Sequence, residues 1–280
     1  MDATPTSPEA EPTGPLVFAH RGSSEALPEH TLAAYLRAID EGADGLECDV
    51  RLTRDGHLVC VHDRRLNRVS DGRGPVSTRH LAELEALDFG SWHPGLPTSA
   101  DDLIIERESI DERPRTPVLT LERLLDASIG AGRSLRLLIE TKHPTRYGGE
   151  VEDRLVEALQ VRGLHEPKPD ASVAVTVMSF SAFAVRRMRE LAPGIETVWL
   201  TEFATPGLRD GRLPFGAKIA GPSVRVLRSN PSIVKRMHDC GNKVYVWTVN
   251  DPKDIDLMIK AGVDGIISDR PSAVLAHLGR

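Results

Sequence analysis

Aromatic residues are scarce in this chain: six Phe, three Tyr and three Trp among 280 residues. So sparse a supply disfavours the stacking platforms that single-stranded nucleic acid needs. Positive charge is not in excess either. Lys and Arg number 35 against 41 Asp and Glu, a formal charge of −6 that offers nucleic acid no basic field. Cysteine is limited to Cys48, Cys60 and Cys240, too few and too far apart for a disulfide framework. Their apolar neighbours read as reduced core thiols in a reducing compartment, so cytoplasmic is the expected location. No stretch approaches about 18 apolar residues, so no membrane span is expected. Residues 1–15 are rich in Pro, Thr and acid and lack the basic start and apolar core of a signal peptide. They read as a disordered leader before one domain over 16–280.

What the chain does have is an apolar run broken by acids, Gly45–Asp63, GLECDVRLTRDGHLVCVHD. Glu47 and Asp49 sit two apart, so on a strand both point to one face while Cys48 and Val50 point to the other. Carboxylates inside an apolar strand are costly without a cation or donor beside them, which marks a metal or catalytic site. Arg54-Asp55-Gly56 then supplies a tight turn, with Asp-Gly as its φ > 0 pair. The chain returns as His57–Val61 into His62-Asp63. The pattern is a β-hairpin that brings His62 back to the level of Asp49.

Around this stretch, strands and helices alternate. Strand Leu16–His20 precedes a helix from Thr31 with Leu32, Tyr35, Leu36 and Ile39 on one face, closed by Gly42. Residues 64–118 show only one credible helix, His80–Leu87, and read as an insertion or lid. Regular alternation resumes with helix 120–129, strand Leu135–Thr141, helix 150–162, strand Val173–Ser179, helix 181–191 and strand Glu196–Leu200. A weak strand Ala217–Gly221, helix 231–240, strand Lys243–Thr248, helix 252–260 and strand Gly265–Ser268 follow. With the hairpin's return arm left out, eight parallel strands remain. The expected fold is an α/β (β/α)8 TIM barrel with a β-hairpin after strand 2 and an inserted lid. Gly42–Asp49 and Gly262–Asp269 share Gly-x-Asp-Gly before an apolar strand ending in Asp, which reads as recurrent helix-to-strand turn chemistry.

Functional residues in such barrels collect at the C-terminal strand ends. Those ends carry His20-Arg21, Glu47 and Asp49, Glu140 and Lys142, Ser179, Trp247 and Asp269, with His62-Asp63 closing the hairpin. Glu47, Asp49 and Glu140 form an oxygen-only set suited to a hard divalent cation, Mg²⁺ or Ca²⁺, and no Cys/His cluster has zinc spacing. His20 and His62 suit a general acid and base. Arg21 and Lys142 supply fixed charge for a phosphate. Together these describe metal-assisted phosphoester chemistry.

The motifs resemble those of the glycerophosphodiester phosphodiesterases, within the phosphatidylinositol phospholipase C-like barrels. They run through His20-Arg21-Gly22, Pro28-Glu29-x-Thr31-Leu32, Glu47-x-Asp49 and Leu52-Thr53-x-Asp55-Gly56 to His62-Asp63. Later matches are Ile139-Glu140-Thr141-Lys142, Val246–Asn250 and Gly262–Asp269. The resemblance implies Glu47, Asp49 and Glu140 as metal ligands and His20 and His62 as the acid–base pair. It also implies Arg21 and Lys142 on the phosphate and Trp247 in the substrate pocket. The implied reaction cleaves a small-molecule glycerophosphodiester to glycerol 3-phosphate and an alcohol. It begins by attack of the adjacent glycerol hydroxyl, and water then opens the cyclic diester. Two rivals are a lysophospholipase D on the same barrel, with Leu103-Ile104-Ile105 as its apolar patch, and a non-catalytic phospho-ligand barrel. The family usually has Asn where this chain has His30. His caps a helix less well than Asn, which leaves the cap to Thr31.

Overall fold

The computed structural model describes residues 14–93, 115–168 and 171–280. The expected leader lies almost wholly outside the described residues, as do Pro94–Pro114 of the insertion with Asp101-Asp102 and Leu103–Ile105. Nine strands form one sheet: β1 (Leu16–His20), β2 (Gly45–Leu52), β3 (Leu58–Cys60), β4 (Leu135–Thr141), β5 (Val173–Ser179), β6 (Glu196–Thr201), β7 (Ile219–Pro222), β8 (Lys243–Val246) and β9 (Gly265–Ser268). β1 pairs in parallel with both β2 and β9, which closes eight parallel strands into a barrel. β3 stands outside that count, antiparallel on the upper half of β2, with Val50 opposite Cys60. The chain is thus a (β/α)8 barrel with a hairpin after its second strand.

Helices cover the strands in sequence order, beginning with α1 (Leu32–Asp40), whose Tyr35 and Ala38 are buried. The Thr31 hydroxyl accepts from the Ala34 amide at 3.2 Å and caps this helix, the role expected of it. In the insertion, α2 spans Leu81–Glu85, shorter at both ends than the predicted helix. Leu66, Val69, Val76, Leu84 and Phe89 pack there against Val59, Val61 and Val118. Each such side chain gains about 1.5–3 kcal/mol on burial, so this stretch is held by a small core of its own.

Then come α3 (Leu121–Ile129), α4 (Glu150–Val161), α5 (Ala182–Leu191), α6 (Pro206–Asp210), α7 (Val224–Ser229), α8 (Ser232–Asp239), α9 (Pro252–Ala261) and α10 (Pro271–His277). The short α6, α7 and C-terminal α10 carry too few turns to show a clear period in sequence. β8 stops at Val246, two residues before its predicted end, and Trp247 sits beyond it. Cys48 and Cys60 are buried as expected, but Cys240 is exposed: it follows α8 on its solvent side. No helix among the described residues is long and apolar enough to cross a membrane.

Alternation along the strands decides what fills the barrel. Leu46, Cys48 and Val50 of β2 pack outward against helices, leaving Gly45, Glu47 and Asp49 inside. The floor of the barrel is Phe18, Leu138, Val198, Ile219 and Tyr245, with the Phe18 and Tyr245 rings 5.2 Å apart. Gly45 and Gly265 make room for those rings, because a Cβ at either would fall 2.7 Å from one of them. The repeated Gly-x-Asp-Gly is a repeated joint. Asp44 accepts from the Val17 amide and Asp264 from the Val244 amide, each at 2.7 Å and each on the neighbouring strand. In the hairpin turn only Gly56 has positive φ, at 82°. Asp55 instead uses its carboxylate, accepting from the Thr53 hydroxyl at 2.6 Å, so the expected Asp-Gly pair of φ > 0 residues is not formed.

Candidate active site

Two residues above the apolar floor, the inward register turns polar. β1 presents His20, β2 Glu47 and Asp49, and β4 Glu140, with Lys142 just past its end. Asp49 lies directly opposite Glu140 in the β2–β4 ladder, and His20 opposite Glu47 in β1–β2. Glu47, Asp49 and Glu140 each offer a carboxylate oxygen within 4.8 Å of the others, and all three are buried.

Charge here is only partly balanced. Lys142 Nζ lies 2.7 Å from Glu140 and 3.2 Å from Asp49, and Arg21 Nε ion-pairs with Asp49 at 3.1 Å. Burial would raise Asp49, but Arg21, Lys142 and a bond from His30 outweigh it and hold this carboxyl well below the usual range. Glu47 has no such surplus. Burial and the neighbouring Asp49 push it well above the usual range. The same two causes raise Glu140 to about 8. Three carboxylates against two cations leave a site short of positive charge, with oxygen donors only. That is the donor set a hard divalent ion takes, so these residues fit one.

The histidines are each held by an aspartate. His20 Nδ1 lies 2.6 Å from Asp269 Oδ1, and Asp269 is fixed in turn by Ser24 and Asn250. His62 Nδ1 lies 2.8 Å from Asp63 Oδ1. With Nδ1–H donated to a carboxylate, each ring turns its Nε2 to the cavity. Burial, with Arg21 and Lys142, lowers His62 to about 4 despite Asp49 and Asp63. The hairpin does return His62 to the site: Arg51 clamps its carbonyl through Nε and Nη2 at 2.9 and 2.7 Å.

Arg21 has φ of 60°, a strained backbone that sets its amide 3.1 Å from the Glu47 carboxylate. Its guanidinium continues through Glu29 to Arg68 and on to Asp63, an ion-pair chain joining the two histidine loops. Trp247 anchors its indole N–H on Gly221 O at 2.7 Å and meets Phe180 edge-on at 5.3 Å. His20, His62, Glu140, Lys142 and Trp247 line one cavity of about 330 Å³, whose other wall is Met178, Leu200 and Ile267. All eight singled-out residues therefore meet at one place. Ser179 does not: its hydroxyl is spent on Thr141 O at 2.8 Å.

Two residues were undervalued by the sequence reading. His30 does not act at the helix cap; it is buried, with φ of 59°, and places Nε2 3.0 Å from Asp49. Asp269 was visible as a strand-end acid, but not as the partner of His20. Counting inward positions Gly265, Ile267, Asp269 would have found it.

The model of the Glycerophosphoryl diester phosphodiesterase family matches residues 20–273. The chain belongs to that family. A Mycobacterium tuberculosis protein, "Probable glycerophosphodiester phosphodiesterase 1", is 43% identical over 264 residues, covering 94% of this chain and 92% of its own. A Bacillus subtilis "Glycerophosphodiester phosphodiesterase" is 33% identical over 264 residues, 91% and 84% of the two chains. The solved structure of an Oleispira antarctica phosphodiesterase in complex with the product sn-glycerol-3-phosphate shares the fold. Its TM-score is 0.76 at 26% identity, over 95% of this chain and 98% of its own. As a member of this family the chain is a phosphoric diester hydrolase, and small-molecule glycerophosphodiesters are its substrates.

Proposed function

We propose that the chain hydrolyses glycerophosphodiesters to glycerol 3-phosphate and an alcohol, with Mg²⁺ or Ca²⁺ held by Glu47, Asp49 and Glu140. His20 and His62 are its acid–base pair. The observation that carries this reading is the pair of His–Asp units in the cavity of the three carboxylates. The O. antarctica neighbour, described with product sn-glycerol-3-phosphate, supports the same product here.

His62, kept neutral by its surroundings, takes the proton of the glycerol hydroxyl next to the phosphate. That oxygen bonds to phosphorus as the bond to the alcohol oxygen breaks, and His20 gives the alcohol its proton. Water then opens the cyclic diester with the proton transfers reversed. Arg21 and Lys142 contact the phosphate oxygens, and Trp247 with Phe180 walls the substrate pocket. A bound divalent cation supplies Lewis-acid stabilisation of the phosphoryl charge. We also infer a cytoplasmic enzyme, from its buried free thiols Cys48 and Cys60.

The test is hydrolysis of a panel of glycerophosphodiesters and lysophospholipids, with and without chelator. Release of glycerol 3-phosphate that stops on chelation and returns with Mg²⁺ or Ca²⁺ is expected. Full activity after exhaustive chelation would overturn the metal role, and release from lysophospholipids alone would overturn the substrate class.

A further inference from the structure

Beside the catalytic cavity lies a second cleft, where the hairpin and the inserted segment meet the loop after β4. Arg51, Arg64, Arg146 and Lys142 line it, with Ser77 and Tyr147, and no carboxylate is among its described lining residues. Of its cations, Lys142 is already paired with Glu140 and Asp49, while the other nearby acids are committed elsewhere: Glu150 to Arg154, Glu152 to His143, and Asp63 to His62 and Arg68. Arg64 and Arg146 have no ion-pair partner among the described residues. Arg51 uses Nε and Nη2 on His62 O, which leaves Nη1 with donors to spare. The enclosed part of the cleft is small, about 20 Å³, and rigidly tied, so the place for an anion is its mouth, where Arg64 and Arg146 are exposed. Tyr147 donates its hydroxyl to Ser77 O at 2.7 Å, and its amide to Thr145 Oγ1 at 2.9 Å.

Arg64 and Arg146, the two without an ion-pair partner among the described residues, line one cleft with Arg51, and the repulsion among such like charges is relieved by an anion. Three arginines present planar donors, the geometry that suits phosphate oxygens. Lys142 lines both cavities, so an anion in the cleft is a neighbour of a phosphate in the catalytic cavity. We propose that the cleft binds a second phosphate of the substrate, one carried by the leaving alcohol, so that phosphorylated polyols are preferred leaving groups. This rests on the phosphodiesterase reading of the main cavity, because the glycerol that supplies the attacking hydroxyl already occupies that cavity.

The test measures binding calorimetrically on the cation-loaded full chain, with glycerol 1,3-bisphosphate and glycerol 3-phosphate as probes. Charge-assisted contacts of this kind predict a bisphosphate affinity about tenfold higher. That advantage should shrink as NaCl is raised. The Arg64→Gln/Arg146→Gln double variant, altered only at exposed side chains, should bind the two probes alike. Equal affinities in the wild type, or a ratio that survives the double substitution, would overturn the proposal. In parallel, kcat/KM is compared for glycerophosphoglycerol and the same diester phosphorylated on its leaving glycerol. Turnover of neither diester would refute the hydrolase reading, while the affinity ratio still decides the cleft.

Discussion

His30 Nε2 stands 3.0 Å from Asp49 Oδ2, and its Nδ1 stands 2.8 Å from the Tyr35 hydroxyl. Tyr35 has one proton, for either His30 or Glu47 O. That carbonyl already accepts from the Arg21 amide at 3.1 Å. Burial lowers the His30 pKa, so the consistent assignment is a neutral ring donating Nε2–H to Asp49 and accepting from Tyr35. Asp49 is thereby aimed by a residue that itself sits at φ of 59°.

His30→Ala removes a buried donor and leaves Ala in a left-handed conformation. It should destabilise the fold by about 1–3 kcal/mol, from the bond and the strain together. His30→Asn tolerates that backbone better and should recover part of the loss. Urea denaturation of both variants checks this, and a stability order with Ala above Asn would contradict it.

Cation affinity should rise with pH up to about 8, because Glu140 is held protonated to about 8 in the cation-free protein. Stability has the opposite sign. Glu140 is raised above its ordinary 4.5, so the stability linked to its proton is full below about 4.5 and is lost as pH rises through about 8. Chelated protein should therefore lose Tm over this window, and the Tm gain on adding Mg²⁺ or Ca²⁺ should be larger at the alkaline end. Calorimetry and thermal melts in several buffers test both, and a pH-independent affinity would remove Glu140 from the ligand set.

Much of this site was legible because strand alternation is rigid. Glu47, Asp49, Glu140 and Lys142 could be placed on one inward face from their two-residue spacing alone. His30 could not. Its role depends on a left-handed backbone at a loop residue, which no periodicity reports. Asp269 escaped for a different reason: it reaches His20 only because β9 closes the barrel onto β1, a contact 249 residues apart in sequence. The cleft of Arg51, Arg64 and Arg146 was hidden too, since the end of β2, the start of the inserted segment and the loop after β4 build it together.

His62 should titrate well below an ordinary imidazole, near 4, because burial, Arg21 and Lys142 disfavour its proton. A lowered pKa keeps the base form as pH falls, so loss of the base through His62 should come below 6.5 rather than at it. Its ring resonances, followed by NMR in cation-free protein, report the midpoint directly. Lys142→Met removes one of the opposing charges and should move the midpoint upward. A wild-type midpoint at the ordinary value would refute the assignment of His62 as the resting base.

The sharpest prediction concerns His20 and Asp269. Their 2.6 Å contact fixes the tautomer that turns Nε2 toward the cavity, and Ser24 and Asn250 hold the carboxylate that does so. Those bonds keep Asp269 ionised, for although burial would raise its pKa, the partners drive it far below the usual range. Asp269→Asn keeps shape and volume but offers the ring an amide in place of a charge. Removing a general acid typically costs about 10²–10⁴ in rate, and Asp269→Asn should approach the loss seen in His20→Ala. If the aspartate acts only through the histidine, the double variant should be no slower than His20→Ala alone. Cation affinity should stay near wild type in all three, because neither residue is among the ligands. A merely structural Asp269 would instead lower Tm while leaving kcat intact in the folded fraction. Multiplicative losses in the double variant would show that the two residues act separately.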